Sequence, residues 1–329
     1  MVLSDLTPRL FKRRDTANTV MLNVFIAALP AVCWSVYVFG LRCLTLYATA
    51  VVSAFVCQIV SDVIIKRSSF RFDTSSVVTG ILVAMALPVG VPLWLPAFAA
   101  AFGIIVGKAL FGGTGKNIFN PAALGICASY LLFAEKMTVF TKPFVSFSPT
   151  AVDVTGELLE SSRTVTSLDL IRSGVTDTSV ITDEFYGLTP GGIGTVSSLL
   201  LIIGLAYLLL TRTVHFNSTL AFVLIYMLAS VLLCYVDYEP SQFMELQLFT
   251  GPLIFVLTFM LNDYITTPTT SLGRIVFAVF AAAGIFAVRQ FGMVHYGEYF
   301  VVLILNVFTP FIDKKTYPVV FGSKVRGSL

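Results

Sequence analysis

Residues 94–121 read WLPAFAAAFGIIVGKALFGGTGKNIFNP, and their composition decides the class of the protein. The Gly-Thr-Gly-Lys segment resembles a phosphate-binding loop. That motif requires a glycine five positions before its second glycine and a serine or threonine after its lysine. Leu110 and Asn117 occupy those two positions. The preceding apolar run is also too long for the short buried strand of a nucleotide-binding unit, so we reject the phosphate-loop interpretation of this segment.

The composition of the whole chain indicates an integral membrane protein. Of its 329 residues, 57% are hydrophobic and only 12% are charged, with a mean hydropathy of +0.89. A soluble domain has about 25% charged residues. The first apolar segment begins near Thr19 and is not followed by a small-residue cleavage site. We therefore interpret it as a retained membrane helix, not a signal peptide.

Ten apolar segments are candidates for membrane helices or half-helices. A polar stretch, Glu135 to Gly194, separates the fifth segment from the sixth. We therefore divide the chain into a first membrane repeat, 1–134, an extracytoplasmic segment, 135–194, and a second membrane repeat, 195–329. The ten segments lie at about 19–39, 43–64, 75–88, 93–110, 119–134, 195–211, 217–235, 247–262, 274–288 and 297–312.

The distribution of lysine and arginine predicts the orientation. With the N-terminus in the cytoplasm, 15 of the 21 basic residues lie on the inner side and six on the outer side. The reverse orientation inverts this bias. Both termini are therefore expected in the cytoplasm, with the polar stretch on the outer side of the membrane.

Ten helices divide into five plus five, and an odd number in each half places the two halves in opposite orientations. We therefore expect an all-α inverted repeat with broken half-helices. A weak internal similarity supports this: Thr79-Gly80 and Thr250-Gly251 each precede a short apolar run in the third helix of their half.

The cysteines and histidines do not indicate a metal site within this chain. The five cysteines form no CxxC pair, and most lie in apolar runs, which favours a role as buried small side chains. His215 and His295 are far apart in the sequence, at predicted helix ends. A metal shared with another subunit remains compatible with these positions.

Two polar breaks interrupt the apolar pattern. In the first, Asn120 is a good N-cap and Pro121 suits the first helical turn, while the glycines allow close approach of the backbone. A buried helix N-terminus there would suit an anionic or polar group such as a flavin edge, although a simple capped turn explains the same residues. In the second break, Asn262 and Asp263 lie close to the apolar region. An ionisable residue in that place is a candidate for an ion path, with an ordinary interfacial acid as the alternative.

Five stretches of the sequence carry a family resemblance: FDTSSVVTGILVAMALP, FGGTGKNIFNPAALG, GGIGTVSSLLLIIGLAYLLL, DYITTPTTSLGRIVFAVFAAAGIFAVRQFG and LNVFTPFIDKKTYPVVFG. They resemble the family that contains the D subunit of the Rnf electron-transport complex and the B subunit of the sodium-pumping NADH:quinone reductase. The resemblance covers nearly the whole chain in order and spacing, and the length favours the Rnf type.

The resemblance implies FMN esterified to a threonine on the outer side by a flavin transferase, within a pattern like Asp-x-x-Ser/Thr-Gly-Ala-Thr. The best register, ESSRTVTSLDLIRSG from Glu160 to Gly174, places Thr166 at the acceptor position. The segment departs from the pattern between Arg163 and Ser167, so Thr164 and Thr155 are alternative acceptors. Arg163 and Arg172 would neutralise the phosphate, and Gly113, Asn117 and Asn120 would shape a buried flavin or ion path.

The function that the resemblance implies is that of a redox subunit in a ferredoxin:NAD⁺ oxidoreductase that moves Na⁺ or H⁺. The expected partners are the A, B, C, E and G subunits of the Rnf complex, the flavin transferase and the lipid bilayer, without nucleic acid. A second, non-covalent flavin such as riboflavin is an open possibility. No GxGxxG motif follows a strand, so the NAD site is expected in another subunit. The alternative from the residues alone is a stand-alone channel or secondary transporter, because five-plus-five repeats with broken helices are typical of transporters.

Overall fold

A computed structural model describes residues 17–65, 73–113, 115–144, 166–167, 178–237, 247–292 and 297–317. For residues 64–65, 178–180 and 234–237 it describes the backbone alone. Within these ranges the chain folds into helices, and its β-structure is limited to isolated bridges such as that between Pro88 and Gly192. The predicted all-α class is confirmed for this part of the chain.

Within the described ranges, four helices are long and apolar enough to cross a membrane, which confirms a multi-pass membrane protein at the coarse level. The two in the first half are α1, Ala17–Phe39, and α2, Arg42–Val60. Helix α2 continues into a π-helical turn, Ser61–Ile65. In the second half they are α9, Phe216–Asp237, and α11, Ser271–Phe291.

The other helices are shorter or interrupted. The apolar helices of intermediate length are α3, Thr74–Ala86, α4, Trp94–Ile104, α5, Pro121–Leu132, and α8, Ser198–Leu210. A π-helical turn, Ile105–Ala109, extends α4. The remaining helices are α6, Ala134–Met137, α7, Thr178–Tyr186, α10, Leu253–Phe259, which has only seven residues, and α12, Glu298–Thr316.

Side-chain caps explain where several of the short helices begin. The Asp73 carboxylate accepts from the Ser75 backbone N–H at 2.9 Å at the start of α3. Asn120 Oδ1 accepts from the N–H groups of Ala122 and Ala123 at the start of α5, with Pro121 in the first turn. These caps satisfy donors that the helix itself leaves without partners.

The distribution of polarity is that of a protein surrounded by lipid. Large apolar side chains such as Leu210 and Phe291 are 84% and 77% exposed, whereas charged side chains such as Arg289 and Glu298 are buried. Polar groups inside a membrane bundle face its interior, because lipid offers them no hydrogen-bond partners.

Two helix contacts of the first half have counterparts in the second, whereas the extensive packing of α2 on α3 has no comparable counterpart between α9 and α10 among the described residues. In the first half α2 packs on α4 and α4 on α5, and in the second half α9 packs on α11 and α11 on α12. Across the halves α1 packs on α8, and α5 packs on α12. Gly204 of α8 lies directly against the Ala27 backbone of α1, where any side chain would collide.

The sequence predictions differ from the structure in two respects. Thr79 lies within helix α3, whereas Thr250 precedes α10, so the two Thr-Gly pairs occupy different local structures. Three basic residues that entered the orientation count, Arg42, Lys108 and Arg289, are also buried. Their charges are satisfied inside the protein, so they are weaker indicators of orientation than exposed loop charges.

Candidate functional site

The two polar breaks predicted from the sequence meet in space. Asn120 Nδ2 lies 3.5 Å from Asp263 Oδ2, a long contact between residues 143 positions apart. Asn120 is buried at the start of α5, and Asp263 is partly buried in the loop after α10. Because Asn120 Oδ1 already caps α5, its amide group is the part that is free to face Asp263.

Short local hydrogen bonds hold Asp263 and Asn262 in place. The Asp263 carboxylate accepts from the Thr266 hydroxyl at 2.9 Å, and the Asp263 carbonyl accepts from the Thr267 hydroxyl at 2.6 Å. Asn262 Nδ2 donates to the Leu257 carbonyl at 2.8 Å and thereby covers the C-terminal end of α10. The loop therefore presents a carboxylate and an amide in defined positions.

These residues line a narrow cleft with a cavity volume of about 50 Å³, which we call the Asp263 cleft. Its walls combine apolar side chains with a few polar ones and come from both halves of the chain. The lining residues are Val20, Met21, Val24, Val78, Thr79, Leu82, Asn120, Pro121, Ala122, Thr213, Val214, Thr258, Phe259, Asn262, Asp263 and Tyr264. An apolar cleft with a few polar groups is the usual form of a small-ligand or ion site.

Gly113 and Asn117 do not line this cleft; they shape the turn that leads to it. Gly113 has φ = 103°, and its N–H donates to the Lys108 carbonyl at 2.9 Å. Asn117 Nδ2 donates to the Phe119 carbonyl at 3.1 Å, directly before the cap of α5. The structure therefore gives them a supporting position, while Asn120, Asn262 and Asp263 form the cleft itself.

Thr166 lies in a second polar region, and its side chain is only 3% exposed. The next residue, Ser167, is equally buried and hydrogen-bonds to the carboxylate of Glu184 in helix α7. Glu184 also accepts hydrogen bonds from Thr189 and from the backbone N–H of Gly251, which precedes α10. This region, which we call the Glu184 cluster, therefore joins the candidate flavin segment to the start of α10.

Arg289 and Glu298 lie beside the Glu184 cluster, and neither was a candidate from the sequence alone. Arg289 donates to the carbonyls of Gln247 and Thr250 at 3.1 and 2.8 Å, and its Nε lies 3.6 Å from Glu298 Oε1. Both side chains are fully buried. Ionisable residues next to apolar segments were the available signal for them.

The remaining sequence candidates lie outside the described residues. These are the alternative acceptors Thr164 and Thr155 and the two arginines, Arg163 and Arg172, expected to neutralise a phosphate. Their roles stay predictions.

Comparison with known proteins identifies relatives along almost the whole length of the chain. It is 29% identical to the D subunit of the ion-translocating oxidoreductase complex of Stutzerimonas stutzeri, over 95% of this chain and 94% of that protein. It is 30% identical to the protein of the same name from Halorhodospira halophila, over 92% and 91% of the two chains. It is 31% identical to the D subunit of the Na⁺-translocating ferredoxin:NAD⁺ oxidoreductase complex of Acetobacterium woodii, over 96% and 94%.

A family model covers the same span. The description of that family is "NQR2, RnfD, RnfE family", and its model matches residues 7–322. That match includes both halves of the Asp263 cleft and the Glu184 cluster. The chain therefore belongs to the NQR2, RnfD, RnfE family.

Proposed function

We propose that this protein is the D-type subunit of an Rnf complex, a ferredoxin:NAD⁺ oxidoreductase that couples electron transfer to Na⁺ or H⁺ movement. The observation that carries the proposal is similarity over more than nine-tenths of each chain to proteins named as the D subunits of ion-translocating oxidoreductases. The expected partners are the A, B, C, E and G subunits in the cytoplasmic membrane, with both termini of this chain in the cytoplasm.

The architecture proposed for this subunit is a five-plus-five inverted repeat. Matched packing supports it: α2 on α4 and α4 on α5 correspond to α9 on α11 and α11 on α12. The pairs α1 with α8 and α5 with α12 would then join equivalent helices of the two repeats. The Thr-Gly similarity gives no structural support, because its two members differ in local structure.

The Asp263 cleft is the proposed ion path within this subunit. The cleft lies between the proposed repeats and holds one carboxylate, with the Asn120 amide 3.5 Å away. Carboxylate, amide and hydroxyl oxygens suit a hard cation, and their position between repeats is the usual one in transporters. In this assignment Asp263 binds the ion while Asn120 and Asn262 hold the walls of the cleft.

Thr166 is the proposed attachment point for FMN, a cofactor that supplies one- and two-electron redox chemistry when bound. The threonine provides the hydroxyl that a phosphoester requires. Its side chain is buried, and its neighbour Ser167 is bonded to Glu184. The transferase must therefore reach Thr166 before residues 166–167 pack against α7, or after they separate from it.

The test is the mass of the purified chain after expression with and without a flavin transferase. The wild type should gain the mass of one FMN only with the transferase, and Thr166→Ala should abolish both this gain and the yellow fluorescence on a denaturing gel. Thr166→Ser should retain part of the label, because the hydroxyl is the nucleophile.

Two control variants separate the parts of this proposal. Fluorescence that survives Thr166→Ala but disappears with Thr164→Ala or Thr155→Ala would move the acceptor site. Asp263→Asn should keep the FMN mass and lose ion movement in vesicles that contain the assembled complex. A wild-type chain that remains colourless beside its native transferase, yet conducts a solute by itself, would favour a channel or transporter instead.

A further inference from the structure

Glu184 is a buried carboxylate whose hydrogen-bond partners are neutral groups within the described part of the chain. Its side chain is 3% exposed, and it accepts from the hydroxyls of Ser167 and Thr189 and from the Gly251 N–H. An ionised carboxylate without a counter-charge is costly to bury, so such a group either binds a cation or takes up a proton.

Among the described residues, the cation whose charge acts on this carboxylate is Arg289, and it already has other partners. Arg289 stabilises the ionised form of Glu184 from a distance, but its guanidinium donates to the carbonyls of Gln247 and Thr250 and lies beside Glu298. The buried Tyr226 hydroxyl faces the same arginine and bonds to Gln247. The charge of Arg289 is therefore shared with a second carboxylate.

A further buried hydroxyl lies on the chain segment that donates to Glu184. Thr250, the residue before Gly251, has a buried hydroxyl that makes no hydrogen bond within the described part of the chain. The Ser167 and Thr189 hydroxyls bond to the carboxylate itself, and Thr250 adds a buried hydroxyl on the residue before the Gly251 donor. Such a set suits a small monovalent cation, which prefers hard oxygen ligands.

We propose that Glu184 is a second cation site of this subunit, which exchanges a proton or Na⁺ on the side opposite the Asp263 cleft. The inference rests on the proposed ion-translocating function, since it assigns the other end of the same path. The two sites flank helix α10: Gly251 precedes its first residue, Leu253, and Asp263 follows its last residue, Phe259. Seven helical residues rise about 10 Å.

Burial supports this assignment, because it raises the pKa of Glu184 from its ordinary value of 4.5 to about 7. Helix α7, which carries Glu184, is not one of the candidate membrane spans. Between pH 4.5 and about pH 7, the folded protein retains a proton on Glu184 that the unfolded chain has lost. The stability of the wild type should therefore fall as the pH rises through this range and level off above it.

The experiment measures the unfolding temperature of the full-length purified chain between about pH 5 and 9, in Na⁺ and in choline at equal ionic strength. The wild type should lose stability as the pH rises in choline. If the ligand is the proton alone, Na⁺ changes nothing. If Na⁺ also binds, it should raise the unfolding temperature of the wild type above neutral pH. Glu184→Gln should remove the fall with pH around neutrality and any Na⁺ response.

Asp183→Asn is the matched control, because Asp183 is the exposed neighbour in the same helix and should behave like the wild type. Thr189→Val removes one neutral donor, so it should move the pH transition upward even if Glu184→Gln fails to fold. A wild-type curve without a transition near neutral pH, or an unchanged response in Glu184→Gln and Thr189→Val, would overturn the proposal. Since this readout requires neither FMN nor partner subunits, its failure leaves the proposed function standing, and a chain without FMN leaves this result standing.

Discussion

Lys108 and Arg289 are buried cations, one in each half of the chain, and the protein satisfies them in different ways. Lys108 lies in the turn that extends α4, and its ammonium donates to Asp73 Oδ2 at 2.8 Å and to the Ser75 hydroxyl at 2.6 Å. Arg289 lies in the last turn of α11 and donates to the carbonyls of Gln247 and Thr250. Lys108 therefore joins α4 to the start of α3, and Arg289 joins α11 to the residues that precede α10.

The difference follows from the chemistry of the two side chains. An ammonium is a compact point charge and suits acceptors that lie close together, such as the Asp73 carboxylate and the Ser75 hydroxyl, whereas the planar guanidinium can reach two separate backbone carbonyls. The Asp73 carboxylate both caps the start of α3 and pairs with the Lys108 ammonium, so one residue has both roles. At α10 the backbone carbonyls take that role, and the carboxylate near Arg289 comes from Glu298 in α12. The buried cation of the first half is therefore paired with a carboxylate that caps a helix, whereas that of the second half is bonded mainly to backbone carbonyls.

The largest effect is expected from Arg289→Met. This change removes the donor of two backbone carbonyls and the cation 3.6 Å from the fully buried Glu298. Loss of one partner from a buried charge pair typically costs about 3–5 kcal/mol. The unfolding temperature in detergent should fall strongly, and expression of folded protein should drop.

The Arg289→Met, Glu298→Gln double variant is the control for this interpretation. If the cost comes from the uncompensated charge of Glu298, the double variant should recover part of the stability that the single variant loses. Arg289→Lys should recover little, because an ammonium cannot span both carbonyls. Full rescue by lysine would show that only the charge matters and would remove the contrast with Lys108.

A smaller effect is expected from Lys108→Met. Asp73 keeps its hydrogen bonds from the Ser75 N–H and hydroxyl, and its side chain is 19% exposed, so solvent compensates part of the loss. Loss of hydrogen bonds to a charged group at such a site costs about 2–3 kcal/mol. Thermal unfolding of the two methionine variants under one condition measures the difference, and a larger loss for Lys108→Met would invert the comparison.

The positions of the helices were largely predictable from the sequence, because ten apolar runs each contain a helix in the structure. The caps were also readable: Asn120-Pro121 marks the start of α5, as the pattern predicts. In the predicted segment 247–262, Leu253–Phe259 is separated from the helical residues 247–249, because Gly251 adopts φ = 67° and Pro252 precedes the first turn of α10. Apolarity alone cannot separate such a break from a continuous helix.

The site was predictable only in part, since its contacts join distant residues. Asn120 and Asp263 were both candidates, but their meeting depends on how the halves pack. The burial of Thr166 was not expected for a polar, hydroxyl-rich segment, because it depends on Ser167 bonding to a carboxylate of another helix. Glu184 was missed because a single acid in a polar stretch normally indicates a solvated surface.

The smallest effects are expected in the glycine turn that follows Lys108, at Gly112 and Gly113. The described residues that follow Arg289, 290–292, contain no glycine with a positive φ. Gly113 is buried at φ = 103° and donates its N–H to the Lys108 carbonyl. A β-branched side chain is strained at such a φ, so Gly113→Val should cost about 1–2 kcal/mol and reduce assembly with partner subunits.

Lys116→Ala is the matched control, because the Lys116 side chain is exposed and its backbone N–H, which donates to the Gly113 carbonyl, is unchanged. It should match the wild type in unfolding temperature and in complex yield on a sizing column. Loss of assembly in Lys116→Ala, or an ATP hydrolysis that this change abolishes, would restore the phosphate-loop interpretation and give the turn a chemical role that the second half lacks.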